Sequence, residues 1–251
     1  MHFSSRCFLI GIALLVASCF SAVTAQAQWT AKAEAGAVAA RGNTTTDSAN
    51  LKLGVAREFE KWKHALALAA VYASDEMGAT GQRWEGRGQS DYKFHPQGFW
   101  FGSARYEEDR FSGFEYQTTY GTGLGWRFYD DPVTKFVVQL GAGYKVFRTR
   151  DAINEDDGIT FMPGERQEDL IAQLGVDFEH ELTPTTKVVN KFLVESGANN
   201  TFLQNEFSVQ VKILESLALA VGYAARYNTA PPEGFEELDT LTTFNLVYEL
   251  K

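Results

Sequence analysis

A period of two in side-chain character runs through this chain from about Trp29 to its last residues. Roughly every second residue is apolar or aromatic, the residues between are glycine, small or charged, and turn residues interrupt the pattern about twelve times. From Arg83 to Phe94, one face carries Arg83, Glu85, Arg87, Gln89, Asp91 and Lys93. The other carries Trp84, Gly86, Gly88, Ser90, Tyr92 and Phe94. Successive side chains of a strand point to opposite faces, so this is the strand period. Sustained over the whole chain, it describes one large all-β body with a wet side and an apolar side.

Twelve segments follow, at about 29–40, 47–60, 63–74, 83–94, 99–110, 116–128, 135–148, 166–181, 187–196, 202–213, 217–228 and 239–250. Most are close to the ~9–11 residues of a tilted membrane strand plus an overhang. Short connections after the even-numbered segments, three of them containing proline, alternate with mostly longer polar ones at 75–82, 149–164 and 229–238. Proline cannot donate to a strand ladder and suits turns. Two segments are ambiguous. The alanine-rich run His64–Ala73 would also suit a helix, and 187–196 places apolar residues on both faces.

The apolar faces read Leu51, Leu53, Val55; Val138, Leu140, Ala142; Leu170, Ala172, Leu174, Val176; Val209, Val211, Ile213; Leu219, Val221; and Phe244, Leu246. Polar residues such as Lys52, Gln139, Lys145, Asp169, Gln173, Glu206, Gln210 and Asn245 stand opposite. Aromatic residues make up 14% of the chain and gather at segment ends. Trp29, Phe59, Trp62, Phe94, Phe99, Trp100, Phe128, Phe136, Phe178 and Tyr248 fall at the short-turn ends. Tyr72, Trp84, Tyr106, Tyr116, Tyr144, Phe202 and Tyr227 lie toward the other ends. Aromatic rings favour the headgroup level of a bilayer, so both sets are expected to form interfacial girdles.

Residues 1–27 read as an export address. His2 and Arg6 precede an apolar run of about ten residues, too short to span a bilayer, and Ala25-Gln26-Ala27 fits the small-x-small cleavage rule. The rival reading is a lipobox at Val16-Ala17-Ser18-Cys19, whose first position departs from the usual leucine. Both cysteines, Cys7 and Cys19, lie in this segment, so cleavage after Ala27 leaves no disulfide or thiolate chemistry. The net charge of −9 argues against nucleic-acid binding.

Catalytic chemistry finds little support. His64, His95 and His180 all fall near the short-turn ends, and none has a serine two residues away on its own strand. A nucleophile and its base must be within hydrogen-bond reach. The acidic loop Asp151–Gly158 is oxygen-rich but lacks EF-hand spacing and reads as a solvated loop. Gly121-x-Gly123-x-Gly125 sits within a strand with no helix after it, so it is no dinucleotide site. Arg105, Glu107 and Asp109 share a face and are expected to point into a narrow lumen with Arg83, Glu85, Arg87, Asp91 and Arg127. There they form either a salt-bridge network that fills the interior or a charged selectivity ring.

Several stretches also carry a family resemblance: Arg41-Gly42-Asn43-Thr44, Ser103 to Phe114, Gly121 to Phe128, Gly141-Ala142-Gly143-Tyr144, and the block Tyr223 to Tyr248. They resemble the salt-induced outer membrane protein family of Gram-negative bacteria, the family of domain of unknown function 481. The resemblance implies an outer-membrane β-barrel and brings no catalytic residues. One departure is that Phe244, Leu246, Tyr248 and Leu250 alternate as a barrel's last strand should, but Lys251 follows them.

The expectation is therefore an antiparallel transmembrane β-barrel of about twelve strands (ten to fourteen), forming one domain over 28–251 with both termini periplasmic. Its expected role is a structural, stress-related envelope protein or a narrow porin-like channel. An outer-membrane lipid-modifying enzyme and a soluble periplasmic barrel with a ligand pocket are the alternatives. No cofactor or metal is expected. The expected partners are outer-membrane lipids, lipopolysaccharide, the barrel-assembly machinery and periplasmic chaperones.

Overall fold

The computed structural model describes residues 28–40, 46–110, 112–153, 161–232 and 235–250. The expected export segment 1–27, the stretch 41–45 that holds Arg41 to Thr44, Phe111, Lys251 and most of the acidic loop lie outside the described residues. In chain order the strands are β1 (Gln28–Ala40), β2 (Thr46–Glu58), β3 (Trp62–Asp75), β4 (Gly78–Lys93), β5 (Gly98–Asp109), β6 (Phe114–Asp130) and β7 (Thr134–Thr149). A short hairpin β8 (Ala152–Ile153) and β9 (Phe161–Met162) is followed by β10 (Arg166–Thr183), β11 (Thr186–Ser196), β12 (Thr201–Leu214), β13 (Leu217–Asn228) and β14 (Leu238–Leu250). All but the short hairpin close into one twelve-stranded barrel in the order β1-β14-β13-β12-β11-β10-β7-β6-β5-β4-β3-β2, and every pairing is antiparallel.

The alanine-rich segment is the strand β3, with Leu66 and Leu68 outward and Ala65, Ala67 and Ala69 inward beside Gln89, Arg87 and Glu85. Helix propensity loses here because β3 has a full hydrogen-bonding partner on each side. In β11, Val189 and Glu195 point inward while Val188 and Phe192 point out.

One end of the barrel holds five tight turns and both ends of the described chain; the other holds the remaining loops. Asp131 Oδ1 accepts from the amides of Val133 (2.8 Å) and Thr134 (2.7 Å), which makes one turn. Thr183 Oγ1 does the same for Thr186 at 3.0 Å. The connection at 75–82 departs from its expected length. It is a hairpin turned at Glu76 and Met77, where Asp75 Oδ1 accepts from the amides of Met77 (2.8 Å) and Gly78 (3.1 Å), and Gly78 has φ 140°. Local Asx and glycine chemistry lets both strands extend past the predicted loop.

The barrel is inside-out. Leu66, Leu140, Leu170 and Phe244 are exposed on its outer wall, the last three at 62%, 81% and 60%. Asp91, Arg105, Glu107, Lys145, Asp169, Gln173, Glu195, Gln210, Arg226 and Asn245 are buried within it.

Candidate functional site: a charged layer across the lumen

Glu107 on β5 and Arg226 on β13 lie diametrically opposite, with five strands between them in either direction. Their side chains meet: Arg226 Nη2 donates to Glu107 Oε1 at 2.5 Å and to Oε2 at 2.6 Å. Arg105, two residues before Glu107, donates from Nη1 to Glu107 Oε2 (3.3 Å) and from Nη2 to Glu195 Oε2 on β11 (2.9 Å). Lys145 Nζ on β7 reaches the same Glu195 oxygen at 3.3 Å, and Thr119 on β6 lies 3.5 Å from it. Glu85 is 3.8 Å from Arg105, and Asp109 is 3.7 Å from Arg226. Charged residues of five strands, with Thr119 from a sixth, thus converge on one level, where cation and carboxylate alternate. Charges excluded from water need such pairing.

A single ring anchors the layer. Phe202 on β12 is 1% exposed, and Arg105, Lys145 and Arg226 each lie 5.0 Å from its centroid. In a desolvated site each of these cations is attracted by the ring's quadrupole. This corrects the expected girdle position of Phe202, which points into the lumen. Phe99 is corrected likewise: it is 1% exposed and lies under Arg127, 4.4 Å from ring centroid to guanidinium carbon.

Of the other expected lumen residues, Arg83 borders this layer, and Arg87, Asp91 and Arg127 face inward away from it. Arg87 donates to Gln89 (3.0 Å), which donates to Asp91 (2.8 Å), forming a polar ladder down β4. Arg83 lies inward between Val71 on β3 and Asp109 on β5, in the field of Glu107, Asp109 and Glu85. Arg127 sits near the turn end, 4.0 Å from Asp130, and does not pair with Arg105, Glu107 or Asp109. Glu195 and Arg226, which complete the layer, carry no local signature. They lie 90 and 119 residues from their partners, and only closure of the barrel brings them together.

Beyond the layer, toward the loop end, Phe114 and Phe147 pack edge to face at 5.5 Å, both buried. Gly113, with φ 73°, tucks against the connection 229–237, where a Cβ would come within 2.7 Å of Phe235 and 2.9 Å of Pro232. Toward the turn end the lumen is wetter. Lys52 reaches Glu206 at 2.5 Å and Lys187 reaches Glu249 at 2.8 Å, while the inward-facing Ala67 and Lys191 are exposed.

On the outer wall, Trp29, Phe59, Trp62, Phe94, Trp100, Phe128 and Tyr248 are exposed near the turn end, where Phe136 packs at a tilt against Phe128 (5.5 Å) and edge to face against Phe178 (6.2 Å). Trp84 and Tyr106 pair at 4.9 Å near the other end.

The outer wall also holds a Ser–His contact. His64 Nδ1 lies 2.8 Å from Ser90 Oγ across the β3–β4 pair, beside a surface depression of about 470 Å³. Same-strand spacing could not show this contact. The geometry is incomplete for acyl transfer: the other ring nitrogen has no carboxylate or amide partner among the described residues, the ring stacks on Trp62, and the neighbouring backbone amides belong to the sheet ladder. Among the described residues no group of three His, Cys, Asp or Glu side chains is placed to hold a metal ion.

A closed antiparallel twelve-stranded barrel with a polar interior and an apolar exterior is the class that fold and site define. The chain belongs to the family described as protein of unknown function, DUF481, whose model matches residues 33–250. It is 26% identical over 222 residues to the uncharacterized protein YdiY of Escherichia coli (strain K12), covering 86% of this chain and 81% of that protein. Among solved structures, the translocator domain of the autotransporter NalP from Neisseria meningitidis superposes with a TM-score of 0.51 at 11% identity, covering 98% of this chain and 96% of that one. The NanC porin does so with a TM-score of 0.51 at 10% identity, covering 88% and 99%. These likenesses are of fold.

Proposed function

We propose that this protein is an integral barrel of the bacterial outer membrane, closed to axial flow in its loop half and serving as a structural, stress-related element of the envelope. The observation that carries the reading is the inverted wall: large apolar side chains outside, paired charges inside. Lipid would satisfy such an exterior, whereas water would not. The aromatic levels support it. Trp62 and Tyr72 on β3 are ten residues apart and Phe136 and Tyr144 on β7 eight. At ~3.3 Å per residue and a tilt of ~40°, these separations rise about 20–25 Å, close to the ~25 Å apolar band of such barrels. The short turns and both termini then face the periplasm, after export and cleavage behind Ala27. Lipopolysaccharide, periplasmic chaperones and the assembly machinery are the partners this reading brings.

A narrow porin-like passage is the second reading, favoured by the water-reached vestibule around Lys191 and Ala67. Membrane fractionation tests the first. The protein should remain with outer membranes until detergent is added and should migrate faster on gels unheated than boiled. Release by salt or alkali alone would contradict it.

A further inference from the structure

Among the described residues the barrel wall is incomplete at one place. β1 pairs with β2 at all thirteen of its residues, but with β14 only from Ala31↔Leu250 to Gly36↔Asn245, six positions. Every other pair of neighbouring barrel strands shares ten or more. The same register would set Ala37 beside Phe244, Val38 beside Thr243, Ala39 beside Thr242 and Ala40 beside Leu241. All eight are strand residues, held by β2 or β13 on their other edges. The seam stops while both strands continue.

A clasp marks where it stops. Asn50 on β2 donates from Nδ2 to Asn245 Oδ1 on β14 at 3.0 Å, passing over Gly36 of the strand between. A Cβ on Gly36 would lie 2.1 Å from Asn245 Oδ1, 2.6 Å from Asn50 Oδ1 and 2.5 Å from the Phe244 carbonyl oxygen. The strands are therefore in close contact at this last rung, and glycine is what lets the two amides cross it.

We propose that the seam above this clasp is a lateral portal, through which an amphipathic lipid-like molecule passes between the bilayer and the lumen; this rests on the membrane reading above. Closing a barrel normally leaves no strand edge, because unpaired amides and carbonyls facing lipid are costly. Four open rungs amount to about 13 Å of edge at ~3.3 Å each, enough for a lipid's polar linkage and the top of its acyl chain. The ester, amide or hydroxyl groups of such a molecule can hydrogen-bond the unpaired main chain. The inner wall beside the gap carries Ser48, Leu241, Thr243, Gly222 and Ala224, small or uncharged side chains that admit a tail. Arg226 and Glu107 meet across the lumen beside Phe202, so on the reading above the axial route is closed and the side of the barrel is the route left open.

The test uses the full-length protein with Cys7 and Cys19 replaced by serine, purified and reconstituted in vesicles of phosphatidylcholine brominated near the top of the acyl chain. An environment-sensitive fluorophore is attached in turn at Thr243→Cys (lumen wall beside the portal), Ser103→Cys (opposite lumen wall) and Val221→Cys (outer wall). Loss of fluorescence is expected at Val221 and Thr243 but not at Ser103. Quenching at Val221 with none at Thr243, or equal quenching at Thr243 and Ser103, overturns the portal. No quenching at Val221 overturns the membrane reading instead. Leu241→Cys replaces Thr243→Cys if that variant does not show the folded gel migration. Disulfide trapping supplies an independent arm, since Ala35/Leu246 and Ala37/Phe244 are the same kind of outward strand pair, two rungs apart. The first cysteine pair should crosslink and the second should not; equal crosslinking means the seam is shut.

Discussion

Arg226 and Glu107, 119 residues apart in the chain, join opposite walls of the barrel through two hydrogen bonds of 2.5 and 2.6 Å. A buried ion pair adds little net stability over a well-packed apolar pair, but removing one partner strands the other charge. Glu107→Ala leaves Arg226 and Arg105 facing one another around Phe202. The expected loss is about 3–5 kcal/mol, read from urea unfolding in vesicles. Glu107→Ala combined with Arg226→Ala should cost less than the sum of the two single changes. Additive losses would show that the two side chains do not interact.

Gly36 and Gly102 separate two kinds of glycine. A Cβ at Gly36 collides with Asn245 and the Phe244 carbonyl, whereas one at Gly102 meets nothing within 4 Å. Gly36→Ala should destabilise the barrel by about 1–3 kcal/mol, and Gly102→Ala should stay within about 0.5 kcal/mol of the parent. The same unfolding measurement checks both.

Neighbouring positions on β7 test the two faces. Leu140 is 62% exposed on the outer wall, and Gln139 faces the lumen. Leu140→Arg should cost about 2–4 kcal/mol in lipid vesicles, because the guanidinium must enter hydrocarbon. Gln139→Arg, inside a wet lumen, should cost less. The reverse order would place lipid on the wrong side of the wall.

Ser90 and His64 are in contact without the surroundings of a catalytic pair. A fluorophosphonate probe should leave Ser90 unlabelled, and His64→Ala should leave lipid composition unchanged in reconstituted vesicles. Labelling of Ser90 that disappears in His64→Ala would establish a hydrolase.

Most of the barrel was legible because alternation is local. A residue's face follows from its parity, so Arg105, Glu107 and Asp91 could be placed inward one strand at a time. What parity cannot give is level and partner. Glu195 and Arg226 complete the charged layer only once twelve strands have closed with a particular stagger. Phe99 and Phe202 show the opposite limit. Each is aromatic and near a strand end, which suggests a girdle, yet each lies inward as the platform for a guanidinium. The Asn50–Asn245 clasp and the seam ending above it belong to the two chain-terminal strands, whose meeting no local pattern records.

Closure of the lumen by the charged layer is tested most directly by single-channel recording in planar bilayers. Folded wild-type protein should insert without a sustained current. The variant Glu107→Ala/Arg226→Ala/Phe202→Ala, if it retains folded gel migration, should conduct stably. A steady wild-type current that the triple substitution leaves unchanged would contradict the account.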